Sequence, residues 1–306
     1  MSYPNEINLS YPNTAYRFST RHLEDALIAD VLEYIVLKKY AWTRGLWQAV
    51  LRPAVRRFCA LAAAFDHTVA SIGFCQAAAH WLPRLLPPPR IFGAEHIPRK
   101  GPLLILANHP GTFDILLLAS CVPRNDFKVI ASDRPFFRAL NATSTHLIFS
   151  SRVDLRAKAN VIRHAIQHLE NGGVLVVFPA GRLEPDPVHR PAAALESLLH
   201  WSESIRILMS RVPDTLIQVV IMGHLVDSHL LNHPLIKKQG VPYNALVLTE
   251  TLQIWKQMIT RKPLRIFPQI HFDHPLKANR SLTTFTDPLA EIIHRASSLM
   301  QTLVRS

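Results

Sequence analysis

The sequence has few cysteines, no long apolar run and no recognisable export signal. Its three cysteines, Cys59, Cys75 and Cys121, form neither a close pair nor a metal-ligand spacing, so we expect buried thiols in a reducing compartment. No uncharged apolar stretch reaches the roughly 18 residues of a membrane-spanning helix, because the nearest one, 58–86, is interrupted by charged residues and histidines. The first residues lack a basic segment followed by an apolar one, so no signal peptide is expected. These absences disfavour a secreted or membrane-spanning protein and leave in-plane association with a bilayer open.

Motifs that mark several common enzyme classes are also missing. There is no GxSxG elbow of serine hydrolases, no GxxxxGK[S/T] phosphate loop and no GxGxxG dinucleotide fingerprint. Two histidine groups have spacings that suggest metal ligands: the pair His164 and His168, and a cluster over 224–233. The pair lacks the adjacent glutamate of metalloproteases, and Pro234 breaks any helix that the cluster would share. We therefore interpret both groups as polar surface or loop residues and predict no metal and no redox cofactor.

Basic residues exceed acidic ones. Lysine and arginine number 34 against 22 aspartates and glutamates, a formal net charge of +12 with histidine neutral. This excess favours an anionic partner, either phospholipid headgroups or nucleic acid. The sequence has no run of five basic residues and no nucleic-acid reader motif, so nucleic-acid binding rests on charge alone and is not predicted. A generally basic protein with neither partner remains open at this point.

Residues 1–86 have the pattern of a helical region. After an irregular leader over 1–19, apolar residues recur at helical spacing from Thr20 to Leu82, and we expect Gly45 and Pro53 to divide this stretch into separate helices. Three tryptophans alternate with basic residues, a pattern that fits either a helix at a membrane interface or a helical layer packed onto the rest of the protein. They are Trp42, Trp47 and Trp81, among Lys38, Lys39, Arg44, Arg52, Arg56 and Arg57.

Residues 87–306 begin with three consecutive prolines and then alternate short apolar strands with helices. The predicted strands are 103–107, 128–131, 147–149, 174–178 and 216–222, and the predicted helices start at 115 and cover 157–169 and 287–304. This alternation predicts an α/β fold with a mixed, largely parallel sheet flanked by helices, preceded by an N-terminal helical layer.

The most informative segment is Asn108-His109-Pro110-Gly111-Thr112-Phe113-Asp114. An apolar strand ends, the chain turns through Pro-Gly and a helix begins near Asp114, which places His109 at the carboxyl edge of a sheet. An aspartate five positions on can bond one ring nitrogen, fix the tautomer and leave the other nitrogen as a base. Such a pair takes the proton from a hydroxyl that attacks a thioester, without a covalent enzyme intermediate. Taken alone, a helix-capping histidine with an aspartate nearby by chance is the safer interpretation.

Four blocks in order resemble the glycerolipid acyltransferase family, the 1-acylglycerol-3-phosphate acyltransferases and their relatives. The first is Asn-His-x4-Asp, preceded by Gly93-Ala-Glu-His-Ile-Pro98. The second is Leu147-Ile-Phe-Ser-Ser-Arg152, the third runs from Gly172 through Val174-Leu-Val-Val-Phe-Pro-Ala-Gly181, and the fourth is Gln218-Val-Val-Ile-Met-Gly223. The resemblance covers roughly residues 90–225, and its strength lies in the agreement of separate blocks in order.

The resemblance implies a role for each matched residue. His109 would be the general base and Asp114 the residue that orients it, while Arg152 would contact the acceptor phosphate unless it is a surface arginine at a helix start. Residues that border the acceptor would be Asn108, Pro179, Gly181 and Arg182. The chain departs from the family in its third block, where Ala180 replaces a glutamate and Arg182-Leu183 replaces Thr-Arg. We expect this departure to alter acceptor binding more than proton transfer, and Glu184 and Arg182 are candidates to compensate.

The resemblance therefore implies an acyltransferase domain over 87–306, with 1–86 as a helical region suited to membrane association. The expected reaction moves a fatty acyl group from acyl-CoA or acyl carrier protein to the hydroxyl of a lysolipid, by default lysophosphatidic acid or a similar acceptor, with no cofactor beyond the donor. The expected location is the cytoplasmic face of a membrane, as a peripheral or monotopic protein. The alternative is a catalytically weak or inactive relative that acts as a lipid-binding protein.

Overall fold

The computed structural model of the chain describes residues 21–35, 44–151, 155–237, 242–262, 264–278 and 287–306. The predictions for the leader, for Thr20, Lys38, Lys39 and Trp42, and for Arg152 lie outside these residues.

Helices and strands alternate after an entirely helical start. The helices are α1 (Arg21–Ile35), α2 (Arg44–Ile72), α3 (Phe74–Leu85), α4 (Asp114–Cys121), α5 (Pro135–Arg138), α6 (Asn141–Ser144), α7 (Leu155–Glu170), α8 (Pro191–Ser197), α9 (Ser204–Arg211), α10 (Ser228–Leu231), α11 (Pro234–Lys237), α12 (Pro242–Thr260) and α13 (Pro288–Arg305). The strands are β1 (Arg90–Phe92), β2 (Leu103–Ala107), β3 (Phe127–Ser132), β4 (Leu147–Ser150), β5 (Val174–Val177), β6 (Leu216–Gly223), β7 (Gln269–Phe272) and β8 (Leu276–Lys277). Short 3₁₀ turns lie at Ala94–His96 and Leu198–His200.

The described strands form one mixed sheet in the order β1-β7-β6-β2-β5-β3-β4, with β8 paired to β6. The pairings of β6 with β7 and with β8 are antiparallel, and the others are parallel. Strands β2 and β5 are buried at every position, which explains why they occur in the sequence as uninterrupted apolar runs. The predicted fold class, a largely parallel mixed sheet with helices around it and a helical N-terminal layer, is confirmed.

Side chains of β2 alternate between two hydrophobic clusters, one on each face of the sheet. Leu103 and Ile105 join the cluster that contains residues of α3 and α4, while Leu104 and Leu106 join the cluster that contains residues of α7, α9 and α13. The central strand is therefore fixed from both sides, and its carboxyl end has little freedom to move.

The N-terminal helices correct one prediction. Helix α2 runs without a break through Pro53, and the chain is interrupted at Gly73, whose φ is 82°. A proline inside a helix removes one backbone hydrogen bond, but buried neighbours such as Ala54 and Val55 hold the flanking turns by packing. The left-handed φ is a conformation that glycine adopts without strain, so Gly73 and not Pro53 separates the helices.

The two described tryptophans of this layer differ in their surroundings. Trp81 is partly buried, and its Nε1 donates to Thr68 Oγ1 at 2.9 Å, so it packs α3 against α2. Trp47 is 40% exposed at the start of α2. Within the described residues, no helix combines the length and the apolar character needed to cross a bilayer. The cysteines are free thiols, with Cys59 and Cys75 buried as expected and Cys121 half-buried.

Candidate active site

The loop between β2 and α4, residues 108–113, carries the central histidine at the carboxyl edge of the sheet. Asn108, which is 1% exposed, anchors its start: Nδ2 donates to the Met222 carbonyl at 2.8 Å, and Oδ1 accepts from the Met222 N–H at 2.7 Å. Both hydrogen bonds go to the backbone of β6. Asn108 therefore ties the loop to the neighbouring strand, and its contact with substrate stays a prediction.

His109 and Asp114 meet across this loop. Nδ1 of His109 lies 2.5 Å from Oδ2 of Asp114, whose side chain is fully buried at the first position of α4. The positive end of a helix dipole favours a carboxylate at that position. A carboxylate only accepts hydrogen bonds, so it assigns the ring proton to Nδ1 and leaves the lone pair on Nε2.

The other edge of the His109 ring is free. Its side chain is 28% exposed, and within the described ranges Nε2 makes no hydrogen bond. Phe178, the residue that follows β5, stacks on the ring with centroids 4.5 Å apart and planes 22° from parallel. The imidazole is thus held behind by Asp114 and on its face by Phe178, while Nε2 is open to a hydroxyl group.

The third-block turn lies beside this ring. Gly181 donates its N–H to the Phe178 carbonyl at 2.9 Å and has a φ of 63°, which favours glycine. Pro179 is buried, and its carbonyl accepts from the Ser202 N–H at 3.1 Å. Arg182 is exposed. Of the predicted acceptor-contacting residues in this turn, Gly181 and Arg182 thus face solvent and Pro179 supports the turn from behind.

Glu184 has a role that its position in the sequence did not specify. It is 2% exposed, its Oε2 accepts from the His109 N–H at 3.0 Å, and its own N–H donates to the His109 carbonyl at 2.8 Å. Its Oε1 accepts from Ser197 Oγ at 2.9 Å and from Trp201 Nε1 at 3.1 Å. Burial raises the pKa of Glu184, and these hydrogen bonds oppose the rise.

Glu250, on α12, was not found from the sequence. It is 5% exposed, and its Oε2 accepts from the Thr112 N–H at 2.8 Å. Burial raises the pKa of Glu250 to about 7. Because α12 lies outside the four blocks and carries no motif, nothing in the sequence connected this residue with His109.

These carboxylates set the basicity of the ring. Burial lowers the pKa of His109, but the charge of Asp114, its hydrogen bond and the charges of Glu184 and Glu250 raise it, and the net effect is a rise above the usual imidazole value. A raised pKa makes an imidazole a stronger base and stabilises its protonated form.

Polar residues of the 224–233 cluster have structural contacts. Asp227 caps α10 by accepting from the His229 N–H at 3.0 Å, and it pairs with Lys256 Nζ at 3.3 Å. In the part of the chain that the structure describes, no three histidine, cysteine, aspartate or glutamate side chains converge as metal ligands would.

Comparison with known proteins gives the following matches. Residues 89–223 match the family model described as Acyltransferase. The fold is similar to the crystal structure of the 1-acyl-sn-glycerophosphate (LPA) acyltransferase PlsC from Thermotoga maritima, with 14% identity, coverage of 82% of this chain and 97% of that chain, and a TM-score of 0.45. No curated protein matches the sequence.

The matched segment 89–223 contains His109, Asp114, Phe178 and Glu184, the residues that the fold brings together at the sheet edge. The family predicted from the sequence agrees with this match, in that residues 89–223 are similar to the acyltransferase family.

Proposed function

We propose that this protein is an acyltransferase that moves a fatty acyl group from a thioester donor, acyl-CoA or acyl carrier protein, to the hydroxyl of a lysolipid. One observation carries the proposal: His109 Nδ1 is bonded to a buried carboxylate at 2.5 Å while Nε2, on a partly exposed ring, is free within the described residues. That is the arrangement a general base needs. We further propose that residues 87–306 form the catalytic domain and that 1–86 hold it at a lipid surface.

The proposed reaction needs no covalent enzyme intermediate. His109 Nε2 takes the proton of the acceptor hydroxyl as its oxygen attacks the thioester carbonyl carbon, so a C–O bond forms and an imidazolium results. Collapse of the tetrahedral intermediate breaks the C–S bond, and the imidazolium returns its proton to the departing sulfur. The products are an ester and a thiol. Asp114 stabilises the imidazolium between the two transfers.

The proposed acceptor is a lysophospholipid, by default lysophosphatidic acid. An exposed arginine, Arg182, follows the turn beside His109, and a guanidinium presents a planar fork suited to phosphate. We propose that Arg182 binds the acceptor headgroup together with Arg152. Ala180 supplies no carboxylate to this turn, and Glu184 is engaged with the His109 backbone, so acceptor selectivity is proposed to differ from that of relatives with a glutamate at position 180.

The proposed membrane contact is the start of α2. Leu46, Trp47 and Val50 are 68%, 40% and 44% exposed within about one helical turn, and Arg52 and Arg56 are exposed on the same helix. Apolar and aromatic side chains beside arginines suit the boundary between headgroups and acyl chains. Together with the net charge of +12, these exposed residues of α2 support the proposal of a peripheral or monotopic location on the cytoplasmic face of an anionic membrane.

Mass spectrometry of lipid products tests the proposal. The purified protein is incubated with a mixture of lysolipids and with either acyl-CoA or acyl carrier protein loaded with a fatty acid. We expect one lysolipid class to gain an acyl chain, and His109→Ala to abolish the product while His80→Ala, which changes an exposed histidine of α3, leaves it. If the wild type binds vesicles but consumes no thioester with any acceptor, the lipid-binding alternative replaces the enzyme.

A further inference from the structure

Helix α12 presents buried polar side chains to the edge of the sheet. Glu250, Gln253 and Gln257 are 5%, 1% and 2% exposed and recur at helical spacing. Polar side chains are seldom buried unless they have hydrogen-bond partners. Each of these three binds the backbone of a different segment, so α12 acts as a scaffold for loops that are far apart in the sequence.

The three contacts have distinct targets. Gln253 Nε2 donates to the Leu225 carbonyl at 2.8 Å, in the loop after β6. Gln257 Nε2 donates to the Leu85 carbonyl at 2.6 Å, at the end of α3. Glu250 alone reaches the loop that carries the catalytic histidine, through the Thr112 N–H.

The carboxylate of Glu250 packs closely against this loop. Its oxygens would lie 3.4 and 3.5 Å from a Cβ added to Gly111, and Oε2 lies 2.8 Å from Thr112 N. Gly111 N in turn faces Asp114 Oδ2 at 3.4 Å. The chain turns at Gly111 and Thr112. The N–H of Thr112 is held by Glu250, and the N–H of Gly111 is held by Asp114.

We propose that Glu250 is a positioning residue for the His109–Asp114 pair, an inference that rests on the proposed function. It fixes the Gly111–Thr112 turn, and this turn sets the distance and angle at which Asp114 meets the ring. A misplacement of about 1 Å in such a pair can lower a rate roughly a hundredfold.

Charge gives Glu250 a second effect on the base. The charged side chains that shift the pKa of Glu250 are Asp114 and His109. Those that shift the pKa of His109 are Asp114, Glu184 and Glu250. Arg57 from α2 faces the opposite end of α12, where it binds the carbonyls of Met258 and Ile259, and Lys256 pairs with Asp227. Removing the charge of Glu250 should therefore lower the pKa of His109.

The decisive variant is Glu250→Gln, which keeps an oxygen for the Thr112 N–H and removes the charge. We expect the His109 ring to titrate at a lower pH than in the wild type when followed by NMR, with its resonance assigned through His109→Gln. The acidic limb of kcat/KM should move in the same direction, because His109 must be neutral to act as a base. Glu250→Ala, which also removes the acceptor, should lower kcat by about 10- to 100-fold with little change in KM.

Gln257→Ala is the matched control, because it loses a buried hydrogen bond of the same helix at a point remote from the turn. It should leave the His109 titration and the acidic limb unchanged. Wild-type titration in Glu250→Gln together with wild-type kcat in Glu250→Ala would overturn the proposal. The NMR titration does not depend on turnover, so a shift in a protein without acyl transfer supports the role of Glu250 and overturns only the proposed function.

Discussion

Glu184 and His109 are joined by two hydrogen bonds in opposite directions: the His109 N–H donates to the Glu184 carboxylate at 3.0 Å, and the Glu184 N–H donates to the His109 carbonyl at 2.8 Å. The same carboxylate accepts from Ser197 and Trp201 with its other oxygen. One buried side chain thus links the turn after β5 to the turn after β2, four positions beyond the alanine that stands in the third block.

Substitution of Glu184 should impair both stability and activity. Glu184→Ala removes the acceptor of the His109 N–H and of Trp201 Nε1, while Ser197 Oγ keeps the Ala194 carbonyl, so we expect a loss of about 1–3 kcal/mol in the free energy of unfolding and a lower kcat. Glu184→Gln should also lose stability, because the NH₂ group of the glutamine is itself a donor and would replace one of the two oxygens that accept hydrogen bonds. Urea denaturation and steady-state kinetics measure both effects, with the exposed Glu196→Ala as control. A Glu184→Ala protein with wild-type stability and kcat would contradict this role.

Asp114→Asn should lower kcat by about 10²- to 10⁴-fold with a small change in KM. An asparagine can donate a hydrogen bond to Nδ1, which places the ring proton on Nε2 and removes the base. The variant keeps the size of the side chain, so thermal unfolding should show a folded protein. Steady-state kinetics with a saturating acyl donor measures the loss. Unchanged kcat would show that the carboxylate does not set the tautomer.

Glu250 should also affect how stability depends on pH. Its pKa rises from an ordinary 4.5 to about 7 in the fold, so its contribution to stability is complete below the unfolded pKa and is lost as pH rises through about 7. Glu250→Gln has no such titration. As the pH rises from 4.5 to 7, the free energy of unfolding of the wild type should therefore fall by about 1–3 kcal/mol relative to that of the variant. Chemical denaturation of both proteins across this range measures the difference, and a constant difference would contradict the raised pKa.

The exposed apolar residues of α2 should matter for membrane binding. Trp47→Ala is expected to weaken binding to vesicles that contain anionic lipid by about tenfold, because burying an aromatic side chain in an interface contributes roughly 1.5–3 kcal/mol. Leu199→Ala, at a residue that is 71% exposed on the 3₁₀ turn after α8, is the control and should bind as the wild type does. Vesicle co-sedimentation measures the binding of each variant. Equal binding of the wild type, Trp47→Ala and Leu199→Ala would show that Trp47 on α2 does not contact the membrane.

The parts of the site that depend on neighbouring residues could be predicted from the sequence. The apolar strand, the Pro-Gly turn and the helix start are encoded within a few residues, so the meeting of His109 with Asp114 follows from local geometry. The central strands were equally clear, because burial on both faces makes them uninterrupted apolar runs.

The supporting carboxylates could not be predicted because their contacts depend on tertiary packing. Glu184 lies 75 residues from His109, and Glu250 lies 138 residues from Thr112. Neither glutamate is part of a periodic pattern. The sequence alone does not distinguish a glutamate that is buried in the fold from one that is exposed. The prediction of a helix boundary at Pro53 was wrong for a related reason, and the break lies at Gly73 instead. Packing around Pro53 overrides the local tendency of proline to end a helix.

The rate of acyl transfer by His109→Ala, compared with the wild type at saturating thioester and lysolipid, tests the central claim most directly. If the imidazole is the base, kcat should fall by about 10²- to 10⁴-fold while vesicle binding and thermal stability stay close to those of the wild type. A variant that turns over within a few-fold of the wild type would show that another group removes the proton.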